Sequence, residues 1–143
     1  MKIHAILELK GTEVFTIAPD AAVADAARRL VEENVGALVV TEDRAGVVGI
    51  VSERDIVRAY AERGPALADS RVSDLMTPKP LTCSLADGGE DLMDLMTERH
   101  VRHVPVVEGG ALRGMISLGD VVKHRLKECL VESDALKRYI TAA

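Results

Sequence analysis

The chain has 143 residues, 48% of them apolar and 29% charged, with a formal net charge of −5. That length and apolar content support one compact body or two very small ones. A mixed, mildly acidic surface with only Phe15, Tyr60 and Tyr139 as aromatics excludes a nucleic-acid partner, because nothing is available to track phosphates or stack on bases.

Cys83 and Cys129 lie far apart and form neither a disulfide framework nor a zinc spacing. The apolar run at residues 1–7 is too short for a signal peptide, and no run reaches membrane-spanning length. A soluble, cytoplasmic protein without a membrane partner is expected.

In chain order, residues 3–9 form a short apolar lead-in that ends at Gly11-Thr12. Residues 14–17 have β composition and stop at Pro19-Asp20. Residues 21–34 are Ala-rich, and Val23, Ala26, Ala27, Leu30 and Val31 fall on one helical face. Asp20 is the expected cap of that helix, and Asn34 with Gly36 its exit. Residues 37–41 read as a buried strand, 42–46 as a polar turn and 47–51 as a second buried strand. A helix follows Ser52 and runs to about Arg63, where Gly64-Pro65 stops it. The order is β-α-β-β-α, and residues 66–71 read as a linker.

The unit then repeats. Thr16, Asp25, Glu32, Val35 and Val40 return 66 positions later as Thr82, Asp91, Glu98, Val101 and Val106. The lead-in finds its counterpart in Val72-Ser73-Asp74-Leu75-Met76-Thr77-Pro78. Gly49-Ile50-Val51-Ser52-Glu53-Arg54-Asp55 returns 65 positions later as Gly114-Met115-Ile116-Ser117-Leu118-Gly119-Asp120, because the turn at Glu108-Gly109-Gly110 is one residue shorter. Gly88-Gly89 weakens the start of the second copy's first helix by about 1 kcal/mol per glycine relative to alanine. A late start near Glu90, capped by Asp87, is therefore expected. Pro105 belongs near a strand end or on an edge. Beyond Asp120, Val122, Leu126, Leu130, Leu136 and Ile140 carry an apolar stripe to the chain end. That stripe either packs on its own domain or meets a second subunit; because it outruns the repeat, the second reading is preferred.

Each copy of the seven-residue corner is a strand running into a helix. Its serine takes the N-cap position, and the aspartate three residues on completes a capping box. The same helix start offers free N–H groups and the positive end of a dipole to a phosphate. A single Ser-x-x-Asp is a common way to begin a helix, so the capping and the ligand readings stand side by side.

Taken together, these features resemble the CBS-domain pair, named for cystathionine beta-synthase. The resemblance rests on the doubled β-α-β-β-α unit, the two Gly-x-x-Ser-x-x-Asp corners, Asp74-Leu75-Met76-Thr77, and Arg102-His103-Val104-Pro105-Val106-Val107. It covers residues 3–127. It implies an α/β (α+β) fold with one domain at 3–64, a linker at 65–71, a second domain at 72–127 and a C-terminal helical extension at 128–143. The two domains would pack sheet to sheet about a pseudo-twofold axis, leaving two clefts.

In that family the clefts take adenosine-containing ligands. AMP is the first expectation here, with ADP, ATP, NAD and S-adenosylmethionine as others, and no metal is required. Ser52 and Asp55 would serve one cleft, and Ser117 and Asp120 the other, with serine on phosphate and aspartate on the ribose hydroxyls. Arg54 would neutralise phosphate in the first copy, where the second has Gly119. Arg102 and His103 would do so in the second, where the first has Gly36 and Ala37. The clefts are expected to be inequivalent. Adenine would lie against Ile17, Ala18, Val35, Ala37, Ser84 and Val104. Each assignment has a plainer counterpart: residues 99–103 as a solvated basic edge, His103 as a hydrogen-bonded core residue, Arg54 paired with Glu53 or Asp55, and the wall residues as core.

The function implied is a regulatory nucleotide sensor, working as a homodimer whose rearrangement is read by an unidentified protein partner. The alternative is an adaptor of the same fold that binds no ligand. An enzyme ranks third, since there is no Walker loop, no His-Glu-x-x-His spacing and no nucleophile elbow. Cys83 fits a small residue in a buried β-to-α connection better than a nucleophile.

Overall fold

The computed structural model describes residues 1–43 and 46–142; Arg44 and Ala45 of the expected polar turn lie outside the described residues. The elements are α1 (Ile3–Lys10), β1 (Thr16–Ile17), α2 (Val23–Glu32), β2 (Ala37–Glu42), β3 (Gly46–Ser52) and α3 (Glu53–Arg63). A 3-10 turn at Gly64–Asp69 leads to α4 (Val72–Leu75), β4 (Thr77–Pro78), α5 (Gly89–Arg99), β5 (His103–Glu108), β6 (Ala111–Ser117) and α6 (Leu118–Ala142). The architecture is the expected α+β one. One sheet runs β1-β2-β3-β4, with β1 parallel to β2 and the other pairs antiparallel. The other is the β5-β6 hairpin, and the two units meet where β3 approaches β6.

The two hairpins share one register. Ala37 faces Ser52 and Val40 faces Gly49; in the second copy His103 faces Ser117 and Val106 faces Gly114. Both ladders slip at the same point, just after Val40 and Val106. The residue missing from the second copy therefore falls in its turn, and both corners leave their hairpins in equivalent positions.

The copies differ at their first strand. In the first unit the Val39 N–H bonds Phe15 O at 3.1 Å, anchoring β1 on β2. Its counterpart is Pro105, which has no N–H to give. The second copy's first strand contracts accordingly to a single bridge, Cys83 to Val106, held by Cys83 N–H on Pro105 O and Val107 N–H on Cys83 O. Pro105 lies inside the hairpin rather than at a strand end, at a position whose missing donor faces that shortened edge.

The lead-ins are short helices, and they cross over. Ile3, Ile6 and Leu7 of α1 pack with Leu92, Met96, Val104, Val106, Ile116 and Val121, all in the second unit. Val72 of α4 packs with Ala26, Leu30, Leu38, Val40 and Val51 of the first. The backbone repeats this exchange: Ile3 N–H bonds Asp87 O and Gly89 N–H bonds Met1 O, while Val72 N–H bonds Ala21 O and Val23 N–H bonds Ser70 O. The expected linker at 66–71 is pinned by Leu67, buried against Val23 and Ala59.

Two caps differ from the sequence reading. The cap of α2 is Ala22, not Asp20, and its side chain makes no capping bond. Helix α5 begins at Gly89 with Gly88 as cap, one residue earlier than expected. Asp87 instead accepts from Ser84 N–H at 2.8 Å. Gly89 is there for space: a Cβ on it would stand 2.7 Å from Met1 Cγ. At the helix exits Asn34 and His100 both take left-handed backbone, with φ of 52° and 55°, so the predicted exit at Asn34 recurs in the second unit at a histidine. Helix α6 is continuous from Leu118 to Ala142, and its stripe at Leu126, Leu130, Leu136 and Ile140 is exposed.

Candidate functional site

Both corners are closed capping boxes. At the first, Ser52 N–H bonds Asp55 Oδ2 at 2.9 Å, and Asp55 N–H bonds Ser52 Oγ at 3.2 Å. The Ser52 hydroxyl also donates to Asp55 Oδ2, at 3.0 Å. At the second, Ser117 N–H bonds Asp120 Oδ2 at 2.8 Å, and Asp120 N–H bonds Ser117 Oγ at 3.1 Å. Each hydrogen-bonded helix start keeps a carboxylate and a hydroxyl at the positive end of α3 or α6. The first residue of each helix is tied back to the start of its hairpin in the same way, Glu53 N–H to Gly36 O and Leu118 N–H to Arg102 O.

The imidazole of His103 joins the two corners. A Cβ on Gly36 would stand 3.0 Å from His103 Nε2 and 3.6 Å from Glu53 Oε1, so both side chains converge on that bare backbone. Burial holds the His103 pKa below its ordinary 6.5; Glu53 and Asp120 oppose that shift, while Lys10 and Arg102 reinforce it. One imidazole thus feels the first corner through Glu53 and the second through Asp120 and Lys10. The neutral ring is favoured in the fold, so the unfolded chain binds more protons below about pH 6.5 and stability falls as pH is lowered through that range. Wild-type protein should therefore lose melting temperature faster than His103→Gln between pH 7.5 and 5.5; parallel slopes in scanning calorimetry would refute this.

Arg54, Arg99, His100 and Arg102 are exposed, so the basic stretch at 99–103 faces solvent except at Val101 and His103, which are half-buried. Among the adenine-wall residues, Ala37 and Val104 have no exposed surface, and Val104 is part of the second core. Ile17 packs partly buried on the first core, and Ala18 is exposed. Ser84 is half-buried, and its N–H belongs to the Asp87 turn. Val35 lines a groove of about 520 Å³ beside the first corner, with Gly36, Glu53, Ile56 and Val57. That volume lies in the range of small-molecule pockets. Ser52 and Asp55 do not line it.

The second corner holds a residue that the sequence reading missed. Lys10 Nζ lies 2.6 Å from Asp120 Oδ2 and 2.7 Å from Met115 O. Hydrogen bonds and charge from Lys10, with those from Ser117, outweigh the effect of burial and pull the Asp120 pKa below its ordinary 3.8. No local motif marks Lys10, because its partner is 110 positions away. Cys83 is buried, and burial first, then Asp87, pushes its thiol up to about 12. A thiol held protonated is a poor nucleophile.

Among the described residues, no helix is long and apolar enough to cross a membrane. The CBS domain pattern matches the chain twice, at residues 8–62 and 72–127. A CBS-domain containing protein of Agrobacterium tumefaciens is 42% identical and superposes with a TM-score of 0.85, covering 87% of this chain and 99% of that one. The mitochondrial CBS domain-containing protein CBSX3 of Arabidopsis thaliana is 34% identical over 85% of this chain, which spans 61% of that protein's length. CBSX2, solved in complex with AMP, is 34% identical with a TM-score of 0.69, covering 80% of this chain and 88% of that one. With both repeats matched and the hairpins, crossed lead-ins and paired corners all duplicated, the chain belongs to the CBS-domain family, as a tandem pair.

Proposed function

We propose that this chain is a regulatory module that binds an adenosine nucleotide at its corners and signals by shifting how its two units, or two copies of it, sit together. The observation that carries the reading is the meeting of the two capped helix starts around His103. Each supplies a carboxylate for sugar hydroxyls and helix N–H groups for an anion. Arg54 and Arg102, both exposed to solvent, are cations that a phosphate can recruit. That CBSX2 binds AMP supports the ligand class. The chain pairs with a second copy: Val31, Val57 and Tyr60 on α2 and α3 are 81%, 69% and 56% exposed, an apolar face unusual for a monomer. The ligand can shift such an equilibrium only by its difference in affinity for the two arrangements.

Thermal melts with AMP, ADP, ATP, NAD and S-adenosylmethionine test this, with sedimentation run alongside. A binding nucleotide at a hundredfold its Kd adds about 2.7 kcal/mol. Asp55→Asn with Asp120→Asn should keep the unliganded melt within about 1 kcal/mol and abolish the ligand shift. An unshifted melt with all five ligands would leave the adaptor reading instead.

A further inference from the structure

We propose that Lys10 is a built-in occupant of the second corner, so that the two clefts fill in a set order: the Asp55 corner first, the Asp120 corner only after Lys10 is drawn away. This rests on the adenosine reading above.

The geometry is asymmetric where the sequence motif is not. Asp120 Oδ2 already accepts Ser117 N–H at 2.8 Å and the Lys10 ammonium at 2.6 Å. A ribose hydroxyl donating to this carboxylate must compete with an ammonium for it, and a charged donor makes the stronger bond. The pair is partly shielded, with Lys10 33% and Asp120 23% exposed, so water screens it less than an open surface pair. The cavity there, lined by Ile6, Leu9, Lys10, Asp120, Lys123 and His124 among others, holds only about 90 Å³. Asp55 has no such partner among the described residues: its carboxylate accepts only from Ser52.

The asymmetry is written into the two lead-ins. Ile3 and Val72 make equivalent backbone bonds, so Lys10 corresponds in position to Lys79. In the first unit α4 ends at Leu75, Pro78 sits in β4, and the chain turns onto β3, with Thr77 opposite Ile50. Lys79 then takes a left-handed φ of 46°, its N–H directed at Val48 O. Helix α1 carries no proline and runs eight residues to its cap at Gly11, which delivers Lys10 to Met115, the counterpart of Ile50. A lysine ammonium thus stands on the second hairpin where the first has a strand.

Calorimetric titration of AMP, and in parallel ATP, into the full chain tests the order of filling. Wild type should bind one strong equivalent, lost in Asp55→Asn and kept in Asp120→Asn. Lys10→Met should tighten the second equivalent roughly 10- to 100-fold, and the gain should persist in Lys10→Met/Asp55→Asn. Lys10→Arg keeps the charge and should keep the wild-type pattern; thermal melts confirm that each variant is folded. Overturning results would be a second equivalent weakened or unchanged by Lys10→Met, or a strong site that Asp120→Asn removes. Binding at the first corner with either of these results sinks only the Lys10 assignment. No binding of AMP or ATP to any of the variants would strike down the order of filling; joined by unshifted melts with ADP, NAD and S-adenosylmethionine, it would strike down the adenosine reading as well.

Discussion

Deleting residues 1–10 should unfold the second unit and leave the first largely intact, although those residues stand at the head of the first repeat. Ile3, Ile6 and Leu7 are 0%, 2% and 2% exposed, and all three are buried in the second unit's core. Burying an aliphatic side chain of this size contributes about 1.5–3 kcal/mol. Three of them together amount to roughly 5–9 kcal/mol, comparable with the whole stability of an ordinary domain. The deletion also removes the bridge from Lys2 to Gly88 and the bonds that Met1 and Ile3 make to the start of α5. Hydrogen exchange should show β5, β6 and α5 losing protection while β2 and β3 keep theirs. Ile6→Ala, expected to cost about 2–5 kcal/mol, is the milder form, with protection falling first in the same hairpin. Protection lost first in β2 and β3 would mean that α1 belongs to its own repeat after all.

Gly49→Val should be the most damaging single substitution in either corner, through the crossed lead-in rather than through any ligand. A Cβ at Gly49 would lie 2.5 Å from Met76 Sδ and 3.0 Å from the Thr77 carbonyl oxygen. The sulfur can move; the carbonyl cannot without disturbing β4, where Pro78 faces Gly49. Overpacking of this kind costs typically 1–3 kcal/mol, and a branched side chain against backbone falls at the upper end. At about 3 kcal/mol the melting temperature of a chain this size drops by roughly 6–12 °C. Gly114→Val meets only the flexible end of Leu7, at 2.9 Å, and should cost less. Met76→Ala should recover part of the loss in Gly49→Ala, where the two sites touch and their effects do not add. A Gly49→Val protein that melts with the wild type would show that this close approach is not needed.

The glycine of the duplicated corner thus has a role that the linear motif conceals. Read as sequence, Gly-x-x-Ser-x-x-Asp points to a ligand loop. In the fold, Ser52 and Asp55 cap α3, while Gly49 admits Met76 from the other repeat's lead-in, as Gly114 admits Leu7. All three residues serve local structure, and the carboxylate and hydroxyl remain at the helix start as well. Retention of the motif is therefore as well explained by architecture as by binding, which is why the Asp→Asn exchange, near-isosteric and cap-preserving, discriminates between them.

What the chain's own order of residues determined is everything governed by short range. Helical spacing placed α2, α3 and α5 to within a few residues; apolar runs placed β2, β3, β5 and β6; the Ser-to-Asp spacing placed both capping boxes. These follow from side-chain periodicity and backbone hydrogen bonding within a few positions. The tertiary structure alone decided which core each lead-in would fill, because Ile3 and Val72 are equally apolar and only three-dimensional packing assigns them to opposite units. It also decided that Lys10 would meet Asp120 and that His103 would lie against Gly36. Such contacts join residues 110 and 67 positions apart. A charged side chain's partner at that separation is set by where helices end and strands pair, and no local pattern carries that information.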